Sequence, residues 1–130
     1  TEQEESELAA LLERGRGNLI FVSSVLSRRP GLGFCAHSSA KAALDAFAKS
    51  LAEELGPRGI RVNIIAPGLT ITDATAGIKP EQKQAVAAMT PLRRVAQPED
   101  IAGAIALLAA DEAGFINGNY ISVDGGLFMQ

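Results

Sequence analysis

Two side chains that can hold or move a proton stand four residues apart in the first third of the chain, His37 and Lys41. Residues at this spacing share one face of a helix, so an imidazole and an ammonium can meet the same ligand. An imidazole is well suited to acid–base chemistry near pH 7, and His37 is the only histidine present. Each group also has an ordinary alternative. A helical lysine is usually solvated, and a histidine at a helix start can simply bond to a backbone carbonyl.

A hydroxyl and a thiol are further candidates for chemistry in the same stretch. Ser24 follows the apolar residues 19–22, where a serine hydroxyl either caps local backbone or faces a ligand. Cys35 is the only cysteine, so it forms no disulfide within the chain. This fits a reducing compartment, and we expect a cytoplasmic protein. No cysteine or histidine spacing typical of a metal site surrounds Cys35, and we expect no metal.

The elements that must position these groups alternate between helix and strand. Three short apolar segments are typical of buried parallel strands, and segments with helical spacing lie between them. The predicted strands are 19–22, 60–65 and Tyr120–Val123, and the predicted helices are 2–14, 38–55, 80–88 and 97–110. This order predicts an α/β fold with three parallel strands and helices on both faces of the sheet.

The helix predicted at 38–55 carries two kinds of surface. Large apolar side chains recur at helical spacing and predict the stripe that faces the core. They are Leu44, Phe47, Leu51 and Leu55. Alanines make other parts of the surface small, which permits close approach of another helix, for example from a second subunit. Good helix propensity explains the same alanines without any partner, and both interpretations stay open.

Composition limits the class of protein. The chain has 130 residues, 47% hydrophobic and 21% charged, which suffices for one modest core. Its net charge is −3 and it has no basic stripe, so we expect no nucleic-acid partner. No apolar run approaches the ~18 residues that cross a bilayer, and we expect no membrane insertion. Three parallel strands alone would leave an apolar edge, so the first strand needs a neighbour that this sequence does not contain.

Four segments of the chain carry recognisable motifs. They are GNLIFVSS at 17–24, HSSAKAAL at 37–44, GIRVNIIAPG at 59–68, and a last stretch from PLRR at 91–94 through QPEDIA at 97–102 to VDGG at 123–126. Their joint order and spacing resemble the short-chain dehydrogenase/reductase family over nearly the whole chain. The resemblance implies the C-terminal half of a doubly wound Rossmann-type domain, with residues 1–130 forming part of that single domain.

The resemblance implies a role for each candidate side chain. Ser24 takes the position of the serine that binds the substrate carbonyl. Lys41 takes that of the lysine that binds the nicotinamide ribose. His37 stands where the family has the tyrosine that donates the proton. The loop residues that match those at the nicotinamide end of the cofactor are Pro67, Gly68 and Thr72.

Cofactor and partners are implied by the same resemblance. The family uses NAD or NADP on a small-molecule alcohol or carbonyl compound, and its subunits commonly form oligomers, here with identical or different chains. The family's front half, with its glycine-rich pyrophosphate loop and the residue that selects NAD or NADP, is absent from this sequence. We therefore expect this chain alone to bind dinucleotide weakly.

A histidine at the tyrosine position alters the chemistry. In the family, an adjacent ammonium and a cationic cofactor lower the pKa of a phenol from about 10 toward neutrality. The same positive surroundings oppose an imidazolium, so we expect His37 to be neutral at pH 7 and a poor donor to a developing alkoxide. The imidazole also ends short of the phenol oxygen position, and a misplacement of ~1 Å can cost about a hundredfold in rate.

Three functions are compatible with this sequence. The chain belongs to a catalytically impaired subunit that stabilises a dehydrogenase-type assembly, or to an active oxidoreductase in which His37 carries the proton, directly or through water. In the third, the retained fold performs dehydration, as a lyase with His37 as the base.

Overall fold

The computed structural model describes residues 1–129, and within them it contains one parallel sheet. Its strands are β1 (Gly17–Val22), β2 (Ile60–Pro67) and β3 (Tyr120–Val123), in the spatial order β1-β2-β3. Both strand pairs are parallel. The predicted α/β class with three parallel strands is confirmed.

Four α-helices connect and cover the strands in the described part of the chain. They are α1 (Glu2–Arg14), α2 (Cys35–Leu55), α3 (Pro80–Met89) and α4 (Pro98–Ala109). Short 3₁₀ turns occupy Val25–Ser27, Gly56–Arg58, Asp73–Thr75 and Asp111–Ala113. Each predicted helix is present, with bounds that differ by at most three residues.

Helix α2 begins three residues earlier than predicted, at Cys35. Ser38 N–H donates to Phe34 C=O at 2.8 Å. This bond forms the first turn of the helix, so the helix begins before the predicted residue 38. His37 therefore lies inside the first turn of α2 rather than in the preceding loop. The spacing of His37 and Lys41 on one helix face is retained.

The predicted core stripe of α2 is confirmed in part. Leu55 is buried and the partly buried Leu51 packs against the core, whereas Phe47 is 56% exposed and meets the Phe21 ring edge-on. The face that packs on the sheet carries mostly small residues: Ser38, Asp45, Ala48, Ala52 and Leu55. Small side chains let the helix backbone approach the sheet closely, and Leu51 and Leu55 complete the contact.

Strand β2 is the centre of the core. Its residues from Val62 to Ala66 are at most 1% exposed, and they include the polar Asn63 at 0%. The Asn63 amide nitrogen donates to Ile116 C=O at 2.8 Å, and its oxygen accepts from Asn119 N–H at 3.1 Å. Both ends of the buried amide are thus satisfied, and they fix the segment that leads into β3.

Strand β1 forms one of the two edges of the described sheet. It pairs with β2 on one side, and none of its six residues is fully buried. Val22, at its carboxyl end, is 43% exposed. An apolar parallel strand with one unpaired side is unusual in a finished fold. The expected neighbouring strand remains a prediction.

The start of α4 is held by an ion pair that also caps the helix. Arg94 donates to both carboxylate oxygens of Asp100, at 2.6 and 2.7 Å, and Gln97 N–H donates to Asp100 Oδ2 at 2.7 Å. These bonds to the charged form hold the pKa of Asp100 well below its ordinary value. The two side chains remain partly exposed.

Asp100→Asn is expected to lower the melting temperature at pH 7, because it removes a carboxylate that is ionised and bonded in the folded state. A depressed folded pKa contributes stability above the unfolded value, near 3.8, and loses it as the pH falls below that value. The difference from the parent should therefore shrink below about pH 4. Thermal melts from pH 7 to pH 3 measure this, with Glu99→Gln in the same turn as a control that should show no such pattern.

Candidate active site

The carboxyl ends of the strands bring several of the candidate residues to one edge of the sheet. Ser23 N–H donates to Ile65 C=O at 2.8 Å, so the chain just before Ser24 runs beside the end of β2. Gly68 N–H donates to Val123 C=O at 3.0 Å, which joins the end of β2 to that of β3. Ligands of open α/β sheets bind in the crevice outside the carboxyl ends of the strands.

Lys41 reaches this edge from α2. Its ammonium donates to Val22 C=O at 2.9 Å, two residues before Ser24. The Ser23 hydroxyl donates to the Lys41 carbonyl oxygen at 3.5 Å. This second bond also links helix α2 to the end of β1. Lys41 as a whole is partly buried, and its ammonium retains two N–H groups for a ligand.

Ser24 lies two residues after the end of β1 and caps the turn that follows. Its Oγ accepts from Leu26 N–H at 3.2 Å, the N-cap of the 3₁₀ turn Val25–Ser27. The capping alternative raised by the sequence is therefore present. The bond uses an oxygen lone pair and leaves the hydroxyl hydrogen able to donate to a ligand.

His37 lies on the first turn of α2, one turn before Lys41, and its side chain is exposed. The imidazole meets the Phe34 ring edge-on, with 6.3 Å between ring centroids and 71° between planes. Among the described residues it makes no hydrogen bond, so the backbone-carbonyl alternative is not realised. Both ring nitrogens are available to solvent or to a ligand.

The loop after β2 passes very close to the segment after β3, at Gly68 and Asp124, and the sequence did not predict this contact. A Cβ on Gly68 would lie 2.9 Å from Asp124 Cβ, so only glycine lets this loop pass the segment after β3. Thr72 is exposed, and its backbone N–H donates to Thr75 Oγ1 at 2.9 Å. The Thr72 hydroxyl lies near that same Thr75 oxygen, at 3.5 Å.

These residues place hydrogen-bonding groups at the carboxyl ends of the strands. The Lys41 ammonium lies there, and the loop from Pro67 to Thr72 borders the same end of the sheet. The sequence contains no G-x-G-x-x-G motif for the pyrophosphate. The glycine-rich phosphate loop that the resemblance implies is therefore not among the residues of this sequence.

Two further searches of the described residues concern metals and membranes. No cluster of three or more histidine, cysteine, aspartate or glutamate side chains could hold a metal ion in this part of the chain. None of its helices combines the length and apolar character that a membrane span requires.

Sequence reasoning missed Tyr120 as part of this site. It was assigned to a strand, yet its phenol lies 3.0 Å from the Ser24 carbonyl oxygen, across 96 residues of sequence. The one available signal is that Tyr120 is the only tyrosine in the chain and stands at the first position of a predicted strand. A phenol that is partly buried usually finds a hydrogen-bond partner.

Comparison with known proteins gives the class. A family model described as Enoyl-(Acyl carrier protein) reductase matches residues 5–128. The chain belongs to the short-chain dehydrogenase/reductase family. This confirms the resemblance drawn from the four motifs.

Individual relatives are reductases. The chain is 42% identical to an acetoacetyl-CoA reductase of Allochromatium vinosum over 92% of its length and 49% of that protein. It is 38% identical to the 3-oxoacyl-(acyl-carrier-protein) reductase of Escherichia coli over 94% of its length and 50% of that protein. The chain thus spans about half the length of the curated relatives it matches.

A solved structure agrees with this fold. The 3-oxoacyl-(acyl-carrier-protein) reductase of Brucella melitensis superposes with a TM-score of 0.87 and 35% identity, over 95% of this chain and 46% of that one. A short-chain dehydrogenase of the same organism superposes with a TM-score of 0.82 and 29% identity, over 87% of this chain.

Proposed function

We propose that this chain belongs to a short-chain dehydrogenase/reductase subunit that keeps a substrate pocket at Ser24 and Lys41 but reduces carbonyl compounds poorly. Its main contribution is then to the stability of an assembly of such subunits. The observation that carries this proposal is the placement of His37 one helical turn before Lys41 in α2, at the position that the resemblance gives to the proton donor. Comparing His37→Tyr with the parent protein tests it.

The chemistry of an imidazole at this position supports impaired reduction. Lys41 brings a positive charge to the carboxyl end of β1, where it would favour ionisation of a phenol. An imidazole N–H is a weaker acid than a phenol toward a developing alkoxide, and the ring ends short of the phenol oxygen position. The role of Ser24 is unchanged, because its hydroxyl can still donate to a carbonyl oxygen.

The names of the relatives support a substrate class. Acetoacetyl-CoA reductase and 3-oxoacyl-(acyl-carrier-protein) reductase are both named for a 3-oxoacyl thioester. We take a 3-oxoacyl thioester as the carbonyl compound of this lineage. The nicotinamide cofactor, NADH or NADPH, supplies the hydride when bound. Ser24 would hold the carbonyl oxygen and Lys41 the ribose, while Pro67-Gly68 and Thr72 would border the nicotinamide.

The open edge of β1 supports the proposed assembly. An unpaired apolar strand favours a neighbouring strand from the same polypeptide or from a partner chain. Residues 1–130 would then be the C-terminal part of one Rossmann domain. Association with identical or related subunits in the cytoplasm completes the proposal, and the exposed alanines of α2 offer a surface for close helix contact.

An active enzyme is the second candidate, and one observation favours it. The His37 imidazole is exposed and makes no hydrogen bond within the described residues, so a water molecule can join it to a substrate oxygen. In that function His37 transfers the proton through water. The same free nitrogen could instead accept a proton from substrate, which is the dehydratase alternative.

Weak binding of dinucleotide by this chain alone is expected, with a dissociation constant above roughly 100 μM, because phosphate-loop contacts are absent. Calorimetry with NADH and NADPH measures this. The full-length acetoacetyl-CoA reductase of Allochromatium vinosum serves as the positive control. Sub-micromolar binding by this chain would show that other residues hold the pyrophosphate.

A further inference from the structure

Tyr120 joins β3 to the turn that carries Ser24. Its phenol oxygen lies 3.0 Å from the Ser24 carbonyl oxygen and 3.2 Å from Ser27 Oγ. Both contacts are to residues 24–27, the short turn and its N-cap that follow β1. Tyr120 itself is the first residue of β3, two strands away in the sheet. The phenol therefore bridges the sheet from one edge strand to the other.

The directions of these hydrogen bonds follow from their partners. A carbonyl oxygen only accepts, so the single phenol hydrogen of Tyr120 goes to Ser24. The Ser27 hydroxyl must then donate to the Tyr120 oxygen. The result is an ordered chain from Ser27 through Tyr120 to the Ser24 carbonyl, with no alternative arrangement of hydrogens that keeps both bonds.

The ring of Tyr120 is also held in place. The Arg28 guanidinium carbon lies 3.6 Å from the ring centroid, a stacked cation–π contact. The next residue, Arg29, lies 5.7 Å from the centroid of the Phe128 ring. Two successive arginines of the turn thus contact aromatic rings of the C-terminal segment. The turn therefore contacts the C-terminal segment through the hydrogen bond to the Ser24 carbonyl and through the two arginine–ring contacts.

Tyr120 does not replace the missing catalytic tyrosine. Burial is the main cause that raises its pKa above the ordinary value of 10, with the charge of Asp45 adding to the effect. A phenol with a raised pKa is a weaker acid at pH 7 than an unperturbed one. Its hydrogen is also already committed to a backbone carbonyl. The Tyr120 phenol is therefore a structural hydrogen-bond donor, and it does not supply a proton to the substrate.

We infer that Tyr120 is a positioning residue for Ser24, holding the turn so that the Ser24 hydroxyl points at the substrate carbonyl. The inference rests on the proposed function, in which Ser24 binds that carbonyl. The Ser24 Oγ already accepts from Leu26 N–H within the turn. Its direction therefore depends on the turn geometry, which Tyr120 fixes from the opposite side through the backbone carbonyl. A misplacement of ~1 Å at such a group is costly in rate.

The test uses Tyr120→Phe, which removes the phenol oxygen and keeps the ring under Arg28. The first readout is amide hydrogen exchange in the purified full-length polypeptide. Exchange at the Leu26 and Ser27 amides, which close the turn on Ser24, should rise by roughly tenfold. The Ile64 amide within the sheet should stay unchanged. Ser50→Ala, which removes a hydroxyl from an exposed turn of α2, is the matched control.

The second readout is reductase activity in a His37→Tyr background, with acetoacetyl-CoA and NADPH or NADH. Adding Tyr120→Phe should lower kcat by roughly tenfold and leave KM within about twofold, because Ser24 acts more strongly in the transition state than in binding. Faster exchange together with lower kcat supports the inference. Unchanged exchange at the turn overturns it, and so does faster exchange with unchanged kcat.

If the proposed function is wrong, the experiments give a result that differs from failure of the Tyr120 inference. If His37→Tyr shows no reduction of the thioester with Tyr120 intact, the substrate or the reaction is wrongly proposed. The exchange experiment then decides the role of Tyr120 by itself. Faster exchange confined to the turn supports a role in placing Ser24, and unchanged exchange contradicts it.

Discussion

His37→Tyr is expected to raise the rate of NAD(P)H-dependent reduction of a 3-oxoacyl thioester by about a hundredfold or more. The substitution extends the side chain toward the substrate and replaces a weak N–H acid by a phenol. The Lys41 ammonium, which donates to Val22 C=O at the same strand end, would then favour the phenolate and lower the tyrosine pKa. The measurement is the oxidation of NADPH or NADH followed at 340 nm, with acetoacetyl-CoA as substrate and the remaining half of the fold present.

Two control variants separate the possible functions. His37→Phe supplies an aromatic ring without a proton to donate, so it should remain as slow as the parent. Lys41→Ala in the His37→Tyr background should remove most of the gain, because the phenol loses its neighbouring cation. If the parent already reduces the thioester and His37→Ala abolishes that activity, the impaired-subunit proposal is wrong and the imidazole carries the proton.

Asn63→Ala is expected to lower the free energy of unfolding by about 3 kcal/mol. The side chain is completely buried in β2 and bonds to Ile116 C=O and Asn119 N–H. Alanine would leave the Asn119 N–H without its partner and weaken the hold on Ile116, whose carbonyl keeps only Arg61 at 3.2 Å. The segment leading into β3 would then lose its attachment to the central strand.

Denaturant unfolding of the full-length polypeptide measures this loss as a lower midpoint at an unchanged m-value. Asn119→Ala is a matched control. That side chain is exposed and donates only to Asn117 C=O, at 3.0 Å, so its removal should change the free energy by less than about 0.5 kcal/mol. Equal effects of the two variants would show that the buried amide is not a specific support of β3.

Most of the fold could be predicted because its signals are local. Helix α1 and strand β3 have the bounds that the sequence indicated. Proline followed by acids marked the start of α4, and the structure adds the reason, an Asp100 carboxylate that accepts from Gln97 N–H. Strand β2 was predicted despite Arg61 and Asn63. The Arg61 guanidinium donates to Leu108 C=O in α4 and to Ile116 C=O after it, and the Asn63 amide also donates to Ile116 C=O.

The failures concern contacts between distant parts of the chain. The α2 stripe was predicted from side-chain size, but the sheet accepts the helix through Ala48 and Ala52 and leaves Phe47 exposed. Periodicity identifies a helix and does not say which of two apolar faces meets the sheet. The bond between Tyr120 and Ser24 spans 96 residues. No local pattern predicts a partner at that distance.

The bare side of β1 has a practical consequence for handling this protein. A row of backbone N–H and C=O groups flanked by Leu19 and Phe21 is a template onto which any extended chain can add. At high concentration, two copies would dock edge to edge and grow into aggregates unless something else covers that side first. Co-expression with the N-terminal half of a related reductase should therefore raise the yield of dispersed protein, and light scattering would register the change.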